Sequence, residues 1–346
     1  MGDDLGRMQG WPPQRLISLV AVAGCLAAGA LGGIAWHVGF GRVLTRLVHP
    51  HWIWFAVAIG GEVVAYAGYT AAYREVACAE DGAELKVPQA AALVAAGFGA
   101  FVHAGGFALD RAALVRAGLS DENARRRVLG LGALEYAVLA PATCVAAAFV
   151  LLFHRTISSS LTLPWLVGVP VGAVLALTAF RFKDSIRKWW LIGRPLARRL
   201  EALGLVLAII LSPRRHPFAV AGTLAYWGGD IFCLWATLHA FSAHSPPVPQ
   251  LIVGYATGYA LTRRALPLGG AGIVEALLPF ALGWLKIALL PALLAVFAYR
   301  LINLWLPLVP AVVGLPTLHR LERPHHRRRR GSGRTARGRR PRPAER

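Results

Sequence analysis

Charge is scarce in this chain. Asp, Glu, Lys and Arg together make up 16% of its 346 residues, against about 25% in a soluble domain. Acidic residues are the scarcer kind, with 17 Asp and Glu against 37 Lys and Arg and a net charge of +20. Cysteine is also rare. Cys25, Cys144 and Cys233 fall inside apolar runs and Cys78 in a polar loop, none spaced as a zinc pair or a redox motif. The chain has no nucleophile elbow, P-loop, HExxH or dinucleotide fingerprint. His37, His49, His51, His154, His239 and His244 lie near segment ends and suggest no metal set. These absences exclude a disulfide scaffold and give no support to an enzyme, a metal centre or a cofactor. What is abundant is apolar surface: 56% of residues are hydrophobic and the mean hydropathy is +0.52. A soluble globular enzyme and a disordered protein are both excluded. A polytopic membrane protein remains. Arg far outnumbers Lys and Ala is plentiful, as in a GC-rich bacterial genome, so the expected location is a bacterial inner (plasma) membrane.

A membrane-spanning helix needs about 20 apolar residues. Six segments qualify: Leu16–Trp36, Trp52–Tyr73, Val128–Phe153, Pro164–Phe180, Phe218–Phe241 and Ala288–Val313. Val22-Ala23-Gly24-Cys25, after Arg15, resembles a lipoprotein cleavage box, but the apolar run continues to Trp36, longer than a signal h-region, and is expected to stay uncleaved. Two further apolar segments are broken. Gln89–Leu109 holds Gly97, Gly99, Gly105 and Gly106; Leu251–Leu285 holds Arg263-Arg264 and then Leu266-Pro267-Leu268-Gly269-Gly270-Ala271-Gly272. If all eight segments crossed once, each side would carry 17 Lys and Arg. If the two broken segments enter and leave on one side, the split becomes 30 inside against 4 outside, as the positive-inside rule demands. Two short half-helices would have the same parity as a re-entrant hairpin.

The resulting expectation is an all-α polytopic membrane protein with six full spans and two broken re-entrant segments, both termini cytosolic. Its two halves share one plan in opposite orientation, and inverted repeats with broken segments at matching positions mark secondary transporters. The expected organisation is a cytosolic N-terminus (1–15), a first membrane repeat (16–153), the start of a second (154–180), a basic connector (181–217), the rest of the second repeat (218–315) and a basic tail (316–346). In the connector, Trp189-Trp190 beside Arg187 and Lys188 suggest an interfacial helix on the cytosolic leaflet; a solvated basic connector is the alternative. From Pro316 to Arg346 the chain has twelve Arg, two Glu and no apolar periodicity, which predicts a disordered tail drawn to anionic lipid. No specific nucleic acid is expected, because no folded polar surface carries the basic residues.

Seven ionisable residues sit inside apolar segments: Glu62, Glu135, Asp230, Glu275, Arg263, Arg264 and Arg300. Each costs roughly 2.5–3.5 kcal/mol at mid-bilayer on insertion scales, so they should face one another or a cavity. Four acids against three Arg suit a paired interior. Glu62, Glu135 and Asp230 could equally pair with neighbouring helices and do no more. Arg263-Arg264 lies at the break, where an Arg fork can grip phosphate or simply anchor the hairpin at the interface.

At Leu266–Leu315 a family resemblance appears. Leu266-Pro267-Leu268-Gly269-Gly270-Ala271-Gly272-Ile273-Val274-Glu275, then Tyr299-Arg300 and Leu304-Trp305-Leu306-Pro307, resembles the end of the lysylphosphatidylglycerol synthase transmembrane (flippase) region. In the first half, Gly105-Gly106 before Asp110-Arg111, then Arg116-Ala117-Gly118-Leu119-Ser120 and Asn123-Ala124, resembles that family's Gly-Gly-Asp segment, although Phe107-Ala108-Leu109 intervene before the acid. The resemblance covers most of Leu16–Leu315 and implies movement of lipid or lipid-linked molecules between leaflets. Nothing after Leu315 could fold into the aminoacyl-transfer domain of the two-part members, so lipid aminoacylation is not expected.

The leading expectation is therefore a lipid or lipid-linked-headgroup flippase. Arg263, Arg264 and Arg300 would hold phosphate, Glu275 and Asp110 would balance charge or take a cationic headgroup, and Arg111 would join them in the substrate site. Gly105, Gly106, Gly269, Gly270 and Gly272 would let backbone donors approach. The partners would be membrane lipids, with a homo-oligomer or an envelope-synthesis enzyme as further candidates. The rivals are a non-transporting accessory protein of cell-envelope glycolipid synthesis and an ion-coupled small-solute transporter.

Overall fold

The computed structural model describes residues 13–47, 50–80, 82–101, 106–153, 159–188, 193–241, 245–260 and 272–305. The expected all-α class holds: the described residues form helices and short connections, with no strand among them. In chain order the helices are α1 (Pro13–Val38), α2 (Phe40–Leu47), α3 (Ile53–Cys78), α4 (Val87–Phe101), α5 (Gly106–Arg116), α6 (Asp121–Phe153) and α7 (Ser159–Arg181). They continue as α8 (Lys183–Ile186), α9 (Gly193–Leu211), α10 (Pro217–Ala240), α11 (Val248–Tyr255), α12 (Ile273–Trp284) and α13 (Leu289–Arg300). Two π-helical turns, Ala256–Ala260 and Leu301–Trp305, extend α11 and α13.

Among the described residues three helices, α3, α6 and α7, are long and apolar enough to cross a bilayer. Their surroundings agree with a membrane protein. Along α7, Val167, Val171, Val174, Leu175 and Leu177 are all exposed, and none of its most apolar stretch is buried. In water each such side chain would forgo about 1.5–3 kcal/mol of burial; in hydrocarbon the exposure costs nothing.

The centre is an antiparallel pair, α3 against α10. At Gly61 a Cβ would stand 2.9 Å from the Gly229 carbonyl oxygen, and at Gly229 one would stand 2.5 Å from that of Gly61. About two turns further along the same face, Gly68 and Gly222 repeat the arrangement at 2.5 and 2.6 Å. Small residues let two backbones touch where lipid offers no hydrophobic drive. The pair is closed at one end by His51 N–H donating to the Ala240 carbonyl (2.8 Å) and at the other by His216 beside Glu75 (3.3 Å).

Around this pair the chain folds back twice. α4 and α5 leave and return at the Glu75 end, since Arg74 Nε donates to the Leu85 carbonyl (2.9 Å) and Arg126, at the start of α6, pairs with Glu80 (2.9 Å). The buried Arg127 donates to the Ala77 carbonyl (3.1 Å), satisfying the C-terminal end of α3. α11 and α12 form the second fold-back, from the other end: Gly254 lies against Leu285 and Gly258 against Leu278.

The connector contains a long helix. Trp189 and Trp190 lie outside the described residues, but α9 is a packed member of the bundle. Ala197, Leu200, Ala202, Leu205, Val206 and Ile209 are buried, and Leu205 fills the space left by Gly130 of α6. Arg198 and Arg199 stay exposed on the opposite face. An apolar stripe at helical spacing was hidden in a segment dominated by its charge count.

Candidate functional site

The second broken segment builds a charged pair in the interior. Gly272, at φ 85°, ends the undescribed stretch and starts α12. A Cβ there would lie 3.2 Å from that of Leu26, so α1 packs directly on this turn. Three residues on, Glu275 reaches back so that Gly272 N–H donates to its Oε2 at 2.7 Å. This meets one of the free donors of the helix start and places a negative charge where the helix dipole favours it. The other oxygen, Oε1, accepts from Arg300 Nε at 2.7 Å. Both side chains are almost fully enclosed, at 1% and 2% exposure. The Arg300 guanidinium also lies over the Tyr259 ring, 5.7 Å from its centroid.

Beside the pair is a second polar group centred on Asp230, which is wholly buried in α10. Its carboxylate accepts from the Tyr255 hydroxyl, from the Tyr299 hydroxyl (2.9 Å) and from Asn303 Nδ2 (2.7 Å). Asn303 Nδ2 also stands 3.4 Å from Glu62 Oε2, and its Oδ1 accepts from the Tyr259 hydroxyl at 3.0 Å. Both π-helical turns thus contribute a buried polar side chain, Tyr259 and Asn303, to one network. Turns of this kind recur at functional sites. Glu135 is buried in α6, and its backbone carbonyl accepts from Trp227 Nε1 at 3.0 Å.

A cleft of about 180 Å³ opens onto this centre, lined by Gly24, Ala27 and Ala28 of α1 and by Glu275, Phe297, Arg300 and Leu301. Its floor is the ion pair. Leu301, and Leu26 on the adjoining face of α1, are exposed apolar side chains, so the cleft joins an exposed apolar surface to a buried charge pair.

The structure brings Gly272, Glu275 and Arg300 together, and Glu62 with Asp230. It does not bring Asp110 and Arg111 to them. Asp110 is buried against Tyr73 of α3, while Arg111 turns outward and donates from Nε to Asp121 Oδ1 at 2.6 Å in a largely exposed ion pair. Gly106 begins α5. Gly105, Arg263, Arg264, Gly269 and Gly270 lie outside the described residues, as does the tail from 306 onward.

The expectation that intramembrane acids pair with Arg is met at Glu275. At Asp230 the described partners are two tyrosines and an asparagine of neighbouring helices, the other pairing open to it. Tyr255 and Tyr259 were missed. Their i, i+4 spacing on an apolar segment reads as core, and only the nearby acid and Asn303, three residues after Arg300, hint at a polar face.

Compared with protein-family models and with curated proteins, the chain matches none.

Proposed function

We propose that this chain is an integral-membrane flippase or translocase for lipids or lipid-linked headgroups. The observation that carries the reading is the lateral cleft between α1 and α13, which leads from an apolar surface to the buried Glu275–Arg300 pair. Intramembrane charges are functional by default, and irregular backbone at membrane depth persists only where it is buried or lines a cavity. A headgroup would enter the cleft, its phosphate drawn to Arg300 and any cationic group to Glu275, while the acyl chains stay in lipid. The volume suits a headgroup and not a whole lipid.

In this reading the two fold-backs, α4–α5 and α11–α12, are re-entrant hairpins from opposite leaflets within six full spans, and the molecule is an inverted repeat. Their return to opposite ends of the α3–α10 pair supports it. So does the matching Gly-Gly-acid step at Gly60-Gly61-Glu62 and Gly228-Gly229-Asp230. Both termini would be cytosolic in a bacterial inner membrane. The resemblance to the lysylphosphatidylglycerol synthase transmembrane region points the same way, as a proposal resting on the residues quoted for it.

Ala28 is exposed at the cleft wall. Ala28→Trp should therefore fill the cleft without disturbing the core, and lipid movement in proteoliposomes should fall at least tenfold with an unchanged melting temperature. Undiminished movement by a stably folded Ala28→Trp protein would remove the cleft from the route.

A further inference from the structure

A second cleft, far from the Glu275–Arg300 pair, lies where α6 begins and α7 ends. It encloses about 400 Å³ and is lined by Glu122, Arg187, Ala197, Arg198 and Glu201. Two cations and two carboxylates therefore face one space within the range of small-molecule pockets. They are not consumed by one another. Arg187 and Glu201 stand 3.8 Å apart, a loose pair with Arg187 two-thirds exposed. Glu122 and Arg198 are exposed, and neither enters an ion pair among the described residues.

The walls are firmer than the side chains. Arg126 Nε donates to the Glu201 carbonyl at 3.2 Å while its Nη1 holds Glu80, tying α9 to α6 and to the α3–α4 connection. A Cβ at Gly193 would stand 2.5 Å from the Ile186 carbonyl oxygen, and one at Gly204 would stand 2.9 Å from the Phe180 ring.

The position of the cleft indicates its source of ligand. α7 ends at Arg181. Its exposed apolar flank continues into exposed Phe182, and Lys183 stands over the Phe180 ring, 5.1 Å from the centroid. Arg187 follows one turn later. A molecule with acyl chains along α7 would present its headgroup at the cleft mouth.

We propose that this cleft binds the headgroup of an aminophospholipid, a phosphate and a primary ammonium on one lipid, taken from the leaflet at the Arg181 end of α7. Arg187 and Arg198 supply charge-assisted donors for the phosphate; Glu122 and Glu201 accept from the ammonium. A purely anionic headgroup would meet two carboxylates and be repelled by both. A quaternary ammonium is favoured by aromatic walls, and among the described residues no aromatic side chain lines the cleft. The proposal rests on the membrane reading of the chain but not on transport, since a lipid can be held here whether or not it moves.

The test is lipid retention by the full chain in detergent, read by native mass spectrometry and by thermal shift. Phosphatidylethanolamine, phosphatidylcholine and phosphatidylglycerol are added separately, and soluble phosphoethanolamine serves as a chain-free control. The expected order is phosphatidylethanolamine first, with roughly tenfold weaker retention in Arg198→Gln and in Glu122→Gln, about 1.4 kcal/mol. Soluble phosphoethanolamine should fail to compete at equal concentration. Equal retention of the three lipids, or preference for phosphatidylglycerol, would overturn the proposal. So would full competition by the soluble headgroup, or unchanged preference in both folded variants. If a variant does not fold, the wild-type lipid order alone decides. A chain that prefers phosphatidylethanolamine yet moves no lipid keeps this site and removes the transport reading; a chain that moves lipid without the preference does the reverse.

Discussion

A guanidinium in an apolar interior is tolerated only where its charge is met, and Arg300 is met by the Glu275 carboxylate and by the face of Tyr259. Removing one member of a fully buried pair strands the other, which costs about 3–5 kcal/mol. Arg300→Gln should accordingly lower the melting temperature of the detergent-solubilised protein, and Glu275→Gln combined with it should recover part of the loss. Arg300→Lys keeps the charge but loses the planar fork, so its destabilisation should be smaller than that of Arg300→Gln. Equal melting of all three variants and the wild type would show that the pair contributes nothing to the fold. Sequence singled out both residues, because charges in apolar segments are conspicuous. Their pairing was not legible: the partners lie 25 positions apart, and the turn after α12 decides which acid meets which base. Asp230 teaches the converse. Its charge was legible, but its tyrosine and asparagine donors were not, because tyrosines in apolar helices ordinarily signal packing.

At the scale of helices, α3 and α10 are held by backbone contact at two crossing points, and the doubled glycines divide cleanly by helix phase. Gly61 and Gly229 touch the partner, whereas at Gly60 and Gly228 a Cβ would meet nothing within 4 Å. Gly68→Ala would place its Cβ 2.5 Å from the Gly222 carbonyl oxygen, and overpacking of this kind costs about 1–3 kcal/mol. Gly60→Ala should fall within about 0.5 kcal/mol of wild type. Thermal unfolding of the two variants side by side checks the register of the pair, and equal effects would mean that the close face has been misplaced. The apolar runs predict α10 to within one residue at each end, and α3 and α7 with one end five residues short. α6 begins seven residues before its apolar run, because Asp121 and Glu122 start it with favourable charge at the helix N-terminus. The stripe on α9 escaped notice for the opposite reason, its basic residues outweighing its period.

For the whole molecule, the charge count and the path of the chain converge. The hairpin α4–α5 returns to the end where Arg126 meets Glu80, and the basic residues of α8 and α9 lie at that end, since Arg126 also holds Glu201. Single cysteines at Ser120 and at Ser185 should therefore react with a membrane-impermeant maleimide from the same side, and one at Val248 from the opposite side. Labelling of Ser120→Cys and Ser185→Cys from opposite faces would break the re-entrant arrangement. Clustered glycine marks both broken segments in the sequence, but the meeting of α1 with α13 that forms the cleft was not legible, since nothing in the sequence of α1 beyond small residues at Gly24, Ala27 and Ala28 sets it against the ion pair. The most direct measurement of the central claim is leaflet-resolved lipid movement in proteoliposomes of the full chain, using headgroup-labelled lipids and a membrane-impermeant quencher. Label in the inner leaflet should become accessible at least tenfold faster than in protein-free vesicles, and Ala28→Trp should abolish the gain. Accessibility no faster than in protein-free vesicles, with a folded and correctly inserted protein, would contradict it.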